Sequence, residues 1–146
     1  MAVIAALMAI VTAFGHLTTT EEVVKQQKAS DQWSYYQAKS IRRYESEIAR
    51  DLFAAIKPEK SADYAKNIEK YRSEGEEIQK EARKLEEESH IKGNQARWLH
   101  FGEIFLEIGI VFASLAILTK QPLLYWTAVL SSAIGAAIAA ATFWIH

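Results

Sequence analysis

Residues Ile104–Ile145 read IFLEIGIVFASLAILTKQPLLYWTAVLSSAIGAAIAAATFWI, with Glu107 and Lys120 as the only formal charges. A helix needs about 20 apolar residues to cross roughly 30 Å of hydrocarbon. The stretch supplies one such run in 123–145 and a second in 98–119, once the mildly polar start at Trp98 is included. The link Thr119-Lys120-Gln121-Pro122 is too short for anything but an antiparallel return. At the other end of the chain, Met1–Leu17 carries no acidic or basic side chain except His16. Of 17 basic and 18 acidic residues, all but Glu103, Glu107 and Lys120 lie between Glu21 and Arg97. This segregation predicts an all-α integral membrane protein. Three transmembrane helices (1–17, 98–119 and 123–145) would hold an extramembrane charged helical hairpin, 18–97, between the first and the second.

A secretory signal peptide is the rival reading of the first segment. It lacks a basic leading region and a clear small-x-small cleavage site, so an uncleaved span fits better. Aromatic residues mark the expected water interfaces: Trp98 and Phe101 at the start of the second span, Tyr125 and Trp126 opening the third, Phe143 and Trp144 closing it. Lys25, Lys28, Lys92 and Arg97 outnumber Lys120, which favours a cytoplasmic hairpin, although a long insert weakens that rule.

Small residues recur one turn apart in each span. They are Ala5, Ala9 and Ala13 in the first, and Gly109 and Ala113 in the second. The third has two rows, Ala128-Ser132-Ala136-Ala140 and Ser131-Gly135-Ala139. Lipid offers no hydrophobic force to join helices, so close backbone approach through small residues does it. Gly109, Ala113, Ser132, Gly135, Ala136 and Ala139 are therefore the expected helix-packing positions.

In the charged insert, Thr18-Thr19-Thr20-Glu21 matches a capping box and predicts a new helix start, with a kink near Gly15. The helix would run to about Ile56 and break at 57–61, where Pro58 disfavours helix at Lys57 and Ser61 is a candidate N-cap. In the second arm Tyr64, Ile68, Tyr71, Gly75, Ile78, Ala82, Leu85 and Ser89 step by four and three, a heptad seam. The first arm is less regular: Trp33, Ile41, Tyr44, Ile48, Leu52 and Ala55. Arms of equal length, a proline turn and ends at one membrane face predict an antiparallel coiled-coil hairpin. Two isolated arms bury little and would be weakly stable. Trp33, Tyr35 and Tyr36 also project over more than one helix face. Packing on further copies, or on a larger assembly, is therefore expected.

Acids and bases alternate and the net charge is -1, so no basic block exists to neutralise phosphates, and nucleic-acid binding is excluded as an expectation. Cysteine is absent, which removes disulfides and thiolate chemistry. There is no phosphate loop, no G-x-S-x-G and no H-E-x-x-H, so no enzyme activity and no cofactor are expected. One constellation is worth weighing: His100, Glu103 and Glu107, spaced three and four apart, share a helix face at the mouth of the second span. His16 and His146 end the first and third spans. Such groups can bind a metal or relay protons. The plainer reading is side chains that reach back to water from a span's end.

The stretch Lys28-Ala29-Ser30-Asp31-Gln32-Trp33-Ser34-Tyr35-Tyr36-Gln37-Ala38-Lys39-Ser40-Ile41-Arg42 closely resembles the signature of the DUF4337 family of bacterial membrane proteins, whose function is unknown. The order of one span, this segment, a charged helical stretch and two closing spans is also similar. The resemblance covers essentially the whole chain. It implies a multi-pass protein of the bacterial inner membrane and a charged segment ahead of the first span, which this sequence does not carry. It also singles out Trp33, Tyr35, Tyr36 and Gln37 as a surface for partner contact, to which the seam residues Tyr64, Ile68 and Tyr71 are added. The expected partners are the lipid bilayer and further copies of the chain or a larger membrane complex.

Overall fold

A computed structural model describes residues 2–142 together with Trp144. The described residues form three helices, α1 (Ala2–Ala54), α2 (Pro58–Thr119) and α3 (Pro122–Thr142), and no strand. Each contains a window long and apolar enough to cross a membrane. Only 11%, 22% and 22% of those windows are buried within the protein, so most of their apolar side chains face outward.

α1 passes through Gly15 and the three threonines without a break, which corrects the expected helix start at Thr18. The hydroxyls of Thr18, Thr19 and Thr20 instead donate backwards to the carbonyls of Phe14, Gly15 and His16, at 2.9, 2.9 and 2.8 Å. A threonine satisfied in this way has no need to cap. A lone glycine costs a helix only about 1 kcal/mol, so nothing there stops propagation.

The first break falls where proline demands it. Ile56 and Lys57 donate their N–H groups to Phe53 O, and α2 then opens on Pro58. Proline suits this position because its missing N–H would be an orphan there anyway. Lys57 O accepts from Lys60 and Ser61 N–H, so Ser61 lies inside the first turn, and the expected cap there is corrected. The second break, at Lys120 and Gln121, turns on Lys120 in a left-handed conformation (φ 54°), and Pro122 opens α3.

The chain divides into two units, Met1–Val23 with Ser89–His146, and Val24–Glu88. In the first, three helices meet around Val11, Leu99, Leu106 and Ala139, with Ile4 and Met8 packed alongside. α3 turns Ala128, Ser132, Gly135, Ala139 and Thr142 inward. α2 opposes them with Gly102, Leu106, Gly109 and Ala113, all buried. A Cβ on Gly102 would stand 3.0 Å from Gly135 O, and one on Gly135 only 2.6 Å from Gly102 O. The two backbones therefore touch there, and only glycine fits. Ser131 adds a hydrogen bond from its hydroxyl to Phe105 O (2.7 Å). Of the expected packing positions, Gly109, Ala113, Ser132, Gly135 and Ala139 are buried and Ala136 is half-buried. The row Ala5, Ala9 and Ala13 is exposed; α1 packs through Ile4, Met8, Val11 and Gly15 instead.

In the second unit α1 and α2 run in opposite directions, as pairs from Lys25 with Glu88 to Phe53 with Tyr64 require. The seven residues of the α2 seam in this unit, Tyr64 to Leu85, are buried or half-buried, and the eighth, Ser89, is buried in the first unit. The matching face of α1 is Lys25, Ala29, Gln32, Tyr36, Lys39, Arg43, Ser46, Arg50 and Phe53, which also steps by four and three. This corrects the first-arm expectation. Ile41, Tyr44, Ile48, Leu52 and Ala55 are exposed, and only Trp33 of that series is half-buried.

Candidate functional site

Polar side chains make up most of the α1 seam, and two of them, Lys25 and Lys39, meet carboxylates of α2 across it. Lys39 Nζ lies 2.5 Å from Glu74 Oε2, with the Tyr35 and Tyr71 rings about it at 5.3 and 5.5 Å. The hydrogen bond to Glu74 holds the Lys39 ammonium above the usual lysine range, and the same bond holds the Glu74 carboxyl below its own. Lys25 pairs with Glu88, and that hydrogen bond lowers the Glu88 carboxyl in the same way. Trp33 donates its Nε1–H to Glu86 (2.8 Å) and meets Tyr36 edge to face. The Tyr36 ring passes over Gly75, 3.6 Å from where a Cβ would stand. At the far end Phe53 and Tyr64 stack at 5.7 Å.

These contacts absorb most of the residues expected to face a partner. Trp33, Tyr36, Tyr64, Ile68 and Tyr71 serve the packing of the two arms on each other; Tyr35 and Gln37 remain exposed. The open surface lies elsewhere. Ile41, Tyr44, Ile48 and Leu52 are 58%, 55%, 70% and 62% exposed. At 3.6 residues per turn they share one stripe with Gln37, on the side of α1 away from its seam. The outer side of α2 in this unit carries Glu and Lys at the corresponding places and no large exposed apolar side chain. Sequence reasoning missed the stripe because it took the apolar row for the seam.

The constellation in the first unit is only partly assembled. The Thr12 hydroxyl donates to Glu103 Oε1 at 2.5 Å, and His100 Nδ1 sits 3.1 Å from Glu103 Oε2. Glu107 is exposed on the outer side of α2, beside Ile104, Ile108 and Val111. His146 lies outside the described residues. Among the described residues no three His, Asp or Glu side chains converge on a point that could hold a metal. The contact of Thr12 with Glu103 joins residues 91 positions apart, and no local pattern announces it.

The geometry defines an all-helical chain of long, outward-facing apolar helices with one polar two-helix unit. The chain belongs to the DUF4337 family, a domain of unknown function, whose model matches residues 1–145. No curated protein matches it, and no solved structure does.

Proposed function

We propose that the chain is a non-enzymatic structural or accessory subunit of the bacterial inner membrane. It crosses the bilayer three times, and residues 18–97 form an antiparallel coiled-coil hairpin outside it. Through that hairpin and the small-residue faces of its spans it oligomerises or docks on a larger membrane complex. The observation that carries the reading is the stripe Ile41, Tyr44, Ile48 and Leu52, left exposed while charged residues occupy the seam of the same helix. Burying an apolar side chain of this size is worth about 1.5–3 kcal/mol, so the stripe carries roughly 6–12 kcal/mol before costs. Association itself costs about 4–15 kcal/mol. The stripe alone is therefore marginal, and the exposed faces of the spans, including Ala5, Ala9 and Ala13, supply the remainder.

Native mass spectrometry after mild detergent extraction tests this. A species of defined stoichiometry, with copies or with one partner, supports it; a lone monomer overturns it.

A second reading, a proton or ion pathway or metal site at the membrane mouth formed by His100, Glu103 and Glu107, rests on Glu103, whose two oxygens meet Thr12 and His100 where the second span begins. Such residues often serve proton movement. Proton flux into liposomes that is abolished by Glu103→Gln would favour it over the structural role.

A further inference from the structure

Glu107 is the one charge between Glu103 and Lys120. Glu103 is met by Thr12 and His100. Glu107 is exposed on α2, and among the described residues none bonds to it. It lies nine residues past Trp98 and twelve before Thr119. With α2 crossing the bilayer as proposed above, a rise of about 1.5 Å per residue puts it roughly 14 Å below the level of Trp98. That is close to the middle of about 30 Å of hydrocarbon. A carboxyl there needs a polar partner, because lipid tails offer none. The other two spans do not supply it. α1 is apolar from Ala5 to Val11, the stretch that lies deeper than the contact of Thr12 with Glu103. On α3, Ser131 and Ser132 direct their hydroxyls to Phe105 O and Ala128 O.

The neighbours of Glu107 on its own helix say what covers it. His100, Ile104, Glu107, Val111, Ser114 and Leu118 step by four and three, and all six are exposed. Such a seven-residue repeat makes one narrow stripe along a helix. Its apolar half, Ile104, Val111 and Leu118, is 48%, 57% and 81% exposed. Its polar half, His100, Glu107 and Ser114, recurs every seven residues, a column that contact with lipid does not require. In two parallel helices with heptad packing, each core residue meets its own counterpart. Two copies inserted in the same sense, related by a two-fold axis along the membrane normal, have this geometry. Glu107 then faces a group at its own depth that can bond to it, Glu107 of the partner subunit. One proton shared between the two carboxyls avoids the repulsion of paired carboxylates. Ser114, whose hydroxyl turns back to Ile110 O at 2.8 Å, is small enough to let the backbones close. The β-branched Ile104 and Val111 at alternate core positions suit two strands.

We propose that the stripe from His100 to Leu118 is a two-fold interface with a second copy of the chain, in which the two Glu107 carboxyls hydrogen-bond to each other near mid-bilayer. This inference rests on the reading of α2 as a span, and it uses a different surface from the stripe of α1.

The test places single cysteines on α2 of the purified full chain in phosphatidylcholine vesicles, which a cysteine-free sequence permits. Oxidation should join two copies through Val111→Cys and Leu118→Cys. It should give little dimer from Phe101→Cys and Ile108→Cys, which are exposed on another side of the helix. Energy transfer between labelled copies, read as the vesicles are diluted with lipid, should show association weakened about tenfold in Glu107→Leu. Glu107→Gln, whose amide can pair with its own counterpart, should associate as the wild type does. Cross-links that favour Phe101→Cys and Ile108→Cys, or that are equal on all sides, overturn the proposal and leave assembly through other surfaces standing. So does association that Glu107→Leu does not weaken. In native membranes, a cross-link from Val111→Cys to a different protein alone also overturns it. A chain that stays monomeric in vesicles removes both the proposal and assembly between copies. Free reaction of Val111→Cys with a water-soluble maleimide overturns the spanning reading itself.

Discussion

The two arms of the second unit share a seven-residue repeat and fill it in opposite ways. α2 turns Tyr64, Ile68, Tyr71, Ile78, Ala82 and Leu85 toward its neighbour, reaches it at the edges with Glu74, Glu86 and Glu88, and turns most of its other Glu and Lys away. α1 turns Lys25, Gln32, Lys39, Arg43, Ser46 and Arg50 toward α2, and Ile41, Tyr44, Ile48 and Leu52 away. One arm is built as the core of a two-helix unit. The other satisfies that unit with ion pairs and ring contacts and leaves its apolar stripe exposed. An apolar row at helical spacing thus marks a buried face only when the opposite side of the helix is free of partnered charges.

The largest test of this contrast sets an inward residue against an outward one. Leu85→Glu should lower the unfolding free energy of the hairpin by about 2–3 kcal/mol, because it places a charge in the seam. Ile48→Glu should leave the same quantity within about 0.5 kcal/mol, yet reduce association at least tenfold. Chemical denaturation followed by circular dichroism reads the first effect, and native mass spectrometry the second. Equal destabilisation by both would erase the distinction between the arms.

A smaller effect is expected where a polar contact stands in for apolar packing. Trp33→Phe keeps a ring against Tyr36 but removes the donor to Glu86, and should cost about 1–2 kcal/mol. Smaller again is a change outside both arms. Lys120 pays for its left-handed backbone with a side chain that clashes there, so Lys120→Gly should stabilise the first unit by about 0.5–1 kcal/mol. Thermal unfolding should show the gain while the hairpin keeps its stability.

The least change is expected from pH. Glu74 and Glu88 have lowered folded-state values, so their contribution is complete above the ordinary carboxylate range and is lost as pH falls through those lowered values. Lys39 is raised, so its contribution holds below the ordinary lysine range and is lost as pH rises through the raised value. The hairpin's melting temperature should therefore drop modestly at both extremes, because partly exposed pairs of this kind are weak. In Glu74→Gln the alkaline drop should shrink.

The helices, the breaks at Pro58 and Pro122 and the α2 seam were legible because each rests on a local rule. Proline is excluded from a helix interior but suits its first turn, and an apolar heptad row on an otherwise charged arm has one reading. The α1 seam was not legible, since Lys, Arg, Gln and Ser look solvent-facing until the carboxylates of the opposite arm are in place. Thr18 to Glu21 misled for a related reason: a capping box and a backward hydroxyl bond use the same residues, and only the preceding helix decides between them. Gly102 escaped notice although it precedes Gly109 by one heptad, a spacing that could have revealed it. The contact of Thr12 with Glu103 had no such signal.

The central claim is that the outer stripe of α1 is an interface. The chain has no cysteine, so single cysteines can be placed at Ile48 and, as a comparison, at the exposed Glu77 of α2. Cross-linking in native membranes should capture a second copy, or one defined partner, from Ile48→Cys and little from Glu77→Cys. No cross-link from Ile48→Cys, or equal yields from both positions, would contradict the account.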